Sequence, residues 1–122
     1  MRSRNEKYAE RANLMANIVA SVVYRVTGIP VDVLRSDACS HSVTRARFIF
    51  VDLCTGVVGP IAIISGYLGK NTSMIAYYKR SHNEHYEIYS DFRKMSDEAD
   101  KMLTELLTTI NGNTGNVFQE EE

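Results

Sequence analysis

Apolar residues recur three and four positions apart along most of this chain, and no other feature limits its fold as strongly. This spacing places side chains on one face of an α-helix, whereas a half-buried strand would show alternation at every second residue. Such alternation does not occur over any convincing run. Glycine and proline interrupt the helical pattern at residues 28–30, 56–60 and 69. The sequence therefore predicts an all-α protein.

About six helices are predicted, over approximately residues 5–27, 31–35, 43–55, 61–67, 72–89 and 91–110. Ser42, Asn71 and Ser90 are suited to cap the third, fifth and sixth helices, because short polar side chains can accept hydrogen bonds from unpaired main-chain N–H groups. Residues 1–110 are long enough for a single helical domain with one hydrophobic core. The acidic, Gly/Asn-rich segment 111–122 is predicted to be a disordered tail.

Composition limits the class of protein. Hydrophobic residues make up 44% and charged residues 24% of the chain, which are ordinary values for a globular protein. No apolar stretch is long enough to span a bilayer, and the charged N-terminus does not resemble a secretory signal. Cys39 lies in a polar loop and Cys54 on an apolar helical face, with no disulfide-rich or C-x-x-C spacing. We therefore expect a cytoplasmic protein with no membrane partner.

The net charge of −1 conceals an uneven distribution. Residues 25–80 contain seven basic and three acidic residues, whereas residues 81–122 contain three basic and ten acidic ones. A nucleic-acid-binding protein needs basic residues gathered on one face rather than a basic chain as a whole. A solvated basic surface is the alternative interpretation, and charge alone does not separate the two.

The segment 59–89 has the organisation of a helix-turn-helix, since two predicted helices are joined by a short turn that contains Gly69. In such motifs the N-terminal residues of the second helix face the major groove of DNA. Main-chain N–H groups at a helix start, together with hydroxyl and amide side chains, suit phosphate oxygens and base edges. Lys79 and Arg80 could reach flanking phosphates, and solubility is the alternative role for them. The residues expected at the DNA-facing end are Lys70, Asn71, Thr72, Ser73 and Met74.

Three short segments occur in order along the chain: IPVDVLRS at 29–36, SVTRAR at 42–47 and YLGKNTSMI at 67–75. They resemble the I-x-V-x-D-L-L-S, S-V-A-R-P-R and F-G-G-R-D-H-T-T-V segments of the C-terminal DNA-binding domain of the bacterial replication initiator DnaA. The spacing between the second and third segments also agrees. The resemblance implies a Trp-repressor-like helix-turn-helix fold and sequence-specific binding to double-stranded DNA, in replication or transcription.

The resemblance also implies roles for individual residues. Arg45 and Arg47 match arginines that the family lays along the DNA backbone, so phosphate contacts are expected of them; a pair of solvated arginines is the alternative. Lys70 stands at the family's arginine in the turn and keeps its positive charge. Residues 71–74 stand where the family's D-H-T-T contacts the major groove. The residues that contact bases are therefore expected to differ from those of the initiator.

Two departures from the family narrow the expected function. The loop 37–42, DACSHS, lacks the arginine that the family inserts into the minor groove. The initiator's own DNA site is therefore not the expected target. The chain also has no G-x-x-x-x-G-K-[ST] phosphate loop, so we expect no ATPase activity.

An enzymatic function finds little support in the sequence. His82 and His85 are three positions apart and could bind a metal ion together, but no third ligand is evident and a surface position is the more ordinary interpretation. Four tyrosines could stack on bases, although aromatic residues at this spacing more often pack between helices: Tyr77, Tyr78, Tyr86 and Tyr89. No nucleophile–base pair is evident. We therefore expect no enzyme, no cofactor, no metal and no small-molecule substrate.

A second class of function stays open. The chain could keep the fold of a DNA-binding domain, lose DNA binding and serve as a protein–protein interaction module. The loop without arginine and the acidic C-terminal third favour this alternative. The apolar stripe of the sixth helix is interpreted as core or as the seam of a homodimer, since many helix-turn-helix proteins bind DNA as dimers.

Overall fold

The computed structural model describes residues 3–121, with the side chains of residue 5 and of residues 111–121 outside the description. The described residues form six α-helices and no β-strand, which confirms the all-α prediction. No helix among them is both long and apolar enough to cross a membrane. The helices are α1 (Arg4–Thr27), α2 (Val31–Arg35), α3 (His41–Val57), α4 (Ile61–Leu68), α5 (Thr72–Ile88) and α6 (Ser90–Glu121).

Local sequence signals account for both ends of α1. Ser3 and Glu6 form a capping box, in which the side chain of each residue accepts a hydrogen bond from the main-chain N–H of the other at 3.2 Å. At the other end, Gly28 adopts the left-handed conformation with φ of 79°, and its N–H donates to the carbonyl of Tyr24 at 2.7 Å. Only glycine adopts this conformation readily, so the chain turns away from α1 at this residue.

The core of the protein is organised around α3, which packs against each of the other five helices. Residues 46–51 of α3 are all buried, so the middle of this helix has no solvent-exposed face. A helix surrounded in this way must be apolar nearly all round, and Phe50, Ile49 and Val51 satisfy that requirement. Burying each large apolar side chain stabilises the fold by about 1.5–3 kcal/mol. The buried side chains of other helices that share one hydrophobic core with those of α3 include Val19, Val23, Leu34, Ile64, Ile75 and Phe92.

Several helix ends differ from the sequence prediction, most by one or two residues, and the start of α3 and the end of α6 are two of them. α3 begins at His41 rather than at residue 43, because Ser40 and not Ser42 is the N-cap: its Oγ accepts a hydrogen bond from the N–H of Val43 at 3.3 Å. The helical backbone of α6 continues beyond residue 110 to Glu121. Glycine lowers the stability of a helix by about 1 kcal/mol but does not forbid it. Disorder of segment 111–122 stays a prediction, since its side chains lie outside the described residues.

Candidate nucleic-acid interface

The turn between α4 and α5 is three residues long and has a defined geometry. Gly69 ends α4 in the left-handed conformation, with φ of 69°, and donates from its N–H to the carbonyl of Ser65 at 2.9 Å. Ser65 also donates from its hydroxyl to the carbonyl of Lys70. Asn71 then caps α5, since its Oδ1 accepts a hydrogen bond from the N–H of Met74 at 2.8 Å. Glycine and asparagine therefore fix the direction in which α5 leaves the turn.

The first turn of α5 lies at the surface, whereas the rest of the helix is anchored in the core. Ile75 and Tyr78 are buried, as the helical spacing predicts, and α5 packs against α3, α4 and α6. Burial raises the pKa of the Tyr78 hydroxyl, while the nearby Arg47 acts in the opposite direction. Asn71, Thr72, Ser73 and Met74 are all exposed. The structure therefore brings these four predicted site residues together on one accessible helix end.

Lys70 lies beside these four residues but is partly engaged within the protein. Its Nζ donates a 2.7 Å hydrogen bond to the main-chain carbonyl of Ser36, in the loop after α2. The residue as a whole is partly exposed. An ammonium group carries three donors, and one bond to a carbonyl leaves its positive charge in place.

Arg47 does not take the position that the sequence predicts. The residue is 4% exposed, and its guanidinium donates to the carbonyls of Leu34 at 2.9 Å, Ser36 at 2.7 Å and Val33 at 3.2 Å. Nη1 adds a bond to the carbonyl of Ala38. The last carbonyls of a helix have no partner within that helix, and a buried cation satisfies them here. The expected phosphate contact of Arg47 is therefore corrected to an internal role: it holds α2 and the following loop against α3.

Arg45 is two residues earlier on α3 and points elsewhere. Its Nη1 lies 2.9 Å from Oδ2 of Asp91 at the start of α6, and its guanidinium lies over the rings of Tyr89 and Phe92 at 5.5 and 5.4 Å. The hydrogen bond from Arg45, followed by that from the N–H of Phe92, lowers the pKa of the Asp91 carboxyl. Arg45 is therefore paired with a carboxylate in this structure, and a phosphate would have to compete with Asp91 for it.

Lys79 and Arg80 occupy different faces of α5. Nζ of Lys79 lies 3.8 Å from Oδ1 of Asp52 on α3, and this lysine is only partly exposed. Arg80 is exposed. Residues three apart share a helix face, so Arg80 is on the same side as the exposed Tyr77. Of the two predicted phosphate contacts, Arg80 is the more exposed, and Lys79 is the one already paired with a carboxylate.

Two residues near the turn were not among the predicted site residues. Arg35, at the end of α2, is exposed; its Nε donates to the carbonyl of Tyr67 at 2.8 Å, and its guanidinium lies 4.5 Å from the centre of that ring. Tyr77 is 43% exposed, although its neighbour Tyr78 is buried. The available signal was the helical spacing from Ile75, which places Tyr78 on the buried face and Tyr77 beside it.

One of the two histidines of α5, His82, lies inside the protein. His82 is 5% exposed, so the expectation of a surface position is wrong for it. Its Nε2 lies 2.8 Å from the buried Oγ of Ser96, and its Nδ1 lies 3.4 Å from Oδ1 of Asp52. Through these contacts His82 links α3, α5 and α6. Within the part of the chain whose side chains are described, no group of three or more His, Cys, Asp or Glu residues could hold a metal ion.

Comparison of this chain with family models, with curated proteins and with solved structures finds no match. The interpretation of this surface therefore depends on its own geometry and chemistry.

Proposed function

We propose that this protein binds double-stranded DNA in a sequence-specific manner, with α4, the turn 69–71 and α5 acting as a helix-turn-helix. The observation that carries the proposal is the exposed first turn of α5, residues 71–74, held immediately after a turn that Gly69 and Asn71 fix. In helix-turn-helix proteins the corresponding residues contact base edges in the major groove. The proposal includes a fold related to that of Trp repressor and of the DnaA C-terminal domain.

The charges around this helix end are compatible with a DNA backbone. Lys70 lies in the turn, Arg35 is exposed beside α4, and Arg80 is exposed on α5. The N-terminus of a helix carries a partial positive charge, which attracts phosphate oxygens. Acidic residues on α5 begin only at Glu84. A phosphate backbone that follows the first part of α5 therefore meets basic groups.

Each residue of the surface has an assigned role in this proposal. The hydroxyls of Thr72 and Ser73 contact base edges or phosphates, while Met74 contributes an apolar contact. Asn71 caps the helix, so its Oδ1 is used within the protein and only its side-chain NH2 group can donate to DNA. Lys70 and Arg80 contact phosphates, with Lys79 as a peripheral cation.

Selection of duplexes from a random-sequence pool, using the full chain at low salt, tests the proposal. We expect enrichment of a defined motif and an affinity that falls steeply as salt increases, because bound cations are released when protein neutralises phosphates. Ser73→Ala should relax the preference at particular base pairs. Ser21→Ala is a matched control, since Ser21 is also an exposed serine, on α1. The absence of any enriched motif at low salt contradicts the proposal.

A protein–protein interaction module is the second candidate, and one observation favours it. Arg45, Arg47, Lys70 and Lys79 each have an acceptor or carboxylate within the protein, so much of the predicted basic surface is already engaged. The exposed residues 37–42, which form the loop before α3 and the first two residues of that helix, add no arginine. If this second candidate is correct, selection from the random-sequence pool should yield no DNA motif. Ser73→Ala and Ser21→Ala should then have the same effect on DNA binding.

A further inference from the structure

We infer that α5 recognises the 5-methyl group of thymine through Met74 and Tyr77, an inference that rests on the proposed DNA-binding function. Met74 is 38% exposed and Tyr77 43% exposed, although both are large and mainly apolar side chains. They lie three positions apart and so share a face of α5. Ser73 lies four positions before Tyr77 on that same face. The surface offered to the groove therefore combines two mainly apolar side chains with the hydroxyls of Ser73 and of Tyr77 itself.

The ring of Tyr77 is packed against neighbouring aromatic rings. Its ring meets Phe48 of α3 edge to face, with ring centres 6.4 Å apart and planes at 77°, and it lies 6.0 Å from the ring of Tyr78. Both partners are buried, so the inner side of the Tyr77 ring is supported by the core. A side chain that is already ordered loses little conformational entropy on binding. The exposed edge of the ring is thus suited to a specific apolar contact.

The groups that usually recognise guanine are missing from this end of α5. Guanine is commonly recognised by arginine or lysine paired with its O6 and N7 atoms. Residues 72–78 contain neither, and the Lys70 ammonium already donates to the Ser36 carbonyl. Asn71, which could pair with adenine through both amide atoms, uses its oxygen to cap the helix. The thymine methyl is the apolar group that the major groove offers, and Met74 and Tyr77 match it.

Charge limits the length of DNA that the helix can contact. Arg80 is exposed one turn beyond Tyr77, whereas Glu84 and Glu87 are exposed further along and would repel phosphates. The usable segment 72–80 is about 13 Å long at 1.5 Å per residue. At 3.4 Å per base step this corresponds to about four base pairs. We therefore place the thymine contacts within a run of about four base pairs.

Replacement of thymine by deoxyuridine tests the inference, because it removes only the 5-methyl group. The experiment uses the full chain, a duplex carrying the motif enriched from the random pool, and a fluorescence-anisotropy titration at fixed salt. We expect thymine in the motif, and a loss of about fourfold in affinity when the contacted thymine becomes deoxyuridine. Met74→Ala should abolish this discrimination, and Met74→Leu should restore it. Ile88→Ala, a change of an exposed apolar residue at the other end of α5, should leave it unchanged.

The outcomes separate the inference from the proposal on which it rests. Equal affinity for thymine and deoxyuridine at every position of an enriched motif overturns the inference and leaves DNA binding intact. If the Met74→Ala protein and the Tyr77→Ala protein each still discriminate thymine from deoxyuridine, the inference is also overturned, because the methyl group is then contacted by other residues. Thermal unfolding of each variant shows whether the fold is kept. If no motif is enriched at all, both the DNA-binding proposal and the inference fail.

Discussion

The ammonium group of Lys70 donates a 2.7 Å hydrogen bond to the main-chain carbonyl of Ser36, and the same oxygen accepts a second bond from the Arg47 guanidinium at 2.7 Å. Lys70 belongs to the turn between α4 and α5, whereas Arg47 belongs to the central helix α3. One carbonyl therefore joins the turn, the loop after α2 and the core. The position of the first turn of α5 depends in part on this junction.

Arg47→Ala should lower the free energy of unfolding by about 3 kcal/mol, since it removes the hydrogen bonds that a buried cation donates, including those to the carbonyls of Leu34 and Ala38. Arg47→Lys should recover only part of the loss, because an ammonium group cannot serve the carbonyls of Leu34 and Ser36 in the way that a planar guanidinium does. Urea denaturation followed by circular dichroism measures both effects. Arg11→Ala, on the exposed side of α1, is the control. A loss below about 1 kcal/mol for Arg47→Ala would contradict this assignment.

Lys70→Ala should weaken DNA binding for every sequence and lower the salt dependence by about one released cation. The reason is that a phosphate contact contributes affinity without distinguishing bases. Anisotropy titrations of the enriched duplex and of an unrelated duplex, each over a range of salt, give both quantities. Lys101→Ala removes the same charge from an exposed position on α6 and should change neither. A loss confined to the enriched duplex would assign Lys70 to base recognition instead, either by direct contact or by holding the first turn of α5 through its bond to Ser36.

The helices could be predicted because their signals are local. Gly28 and Gly69 both adopt the left-handed conformation at a helix end, and Asn71 caps α5 as its position indicated. Most predicted ends agree with the structure to within one or two residues; the last end of α6 does not. The start of α3 was misplaced because Ser40 and Ser42 are both good caps, and the choice between them depends on the packing of the whole helix.

The surroundings of individual site residues could not be predicted, because they depend on contacts distant in sequence. Arg47 lies on the apolar face of α3, four residues after Val43, but the local pattern does not identify the carbonyl of Leu34, thirteen residues earlier, to which it bonds. His82 is paired with Ser96 of the next helix, fourteen residues later. Only the packing of α5 against α3 and α6 buries this histidine. A helical wheel predicts the buried face of a helix but not the polar partners inside it.

Asp91→Asn should destabilise the protein at pH 7 and have less effect in acid. The pKa of Asp91 is lowered in the folded state, first by the hydrogen bond from Arg45 and then by that from the N–H of Phe92. Such a carboxyl stabilises the folded state above its unfolded pKa of about 3.9, and this contribution is lost as the pH falls through the lower folded value. Urea denaturation at a series of pH values should show that the free energies of unfolding of the native protein and of the Asp91→Asn variant converge below about pH 4.

A double-mutant cycle provides the control for this prediction. In an Arg45→Met background, the Arg45 donor is absent, so Asp91→Asn should cost less at pH 7 than it does in the native chain. The hydrogen bond from the N–H of Phe92 to Asp91 remains in that background. An Asp91→Asn effect that is the same in both backgrounds would show that Arg45 does not stabilise the carboxylate.

The two cysteines should differ sharply in reactivity towards a thiol reagent under native conditions. Cys39 is exposed in the loop before α3, whereas Cys54 is fully buried in α3, as their sequence positions indicated. Burial raises the pKa of the Cys54 thiol well above its usual value, and the thiolate is the reactive form. Titration with an aromatic disulfide at pH 8 should therefore modify one thiol rapidly and the second only at the rate at which the protein opens. Cys39→Ser should remove the fast phase alone, and denaturant should accelerate the slow one. Two fast phases in the native protein would contradict the burial of Cys54.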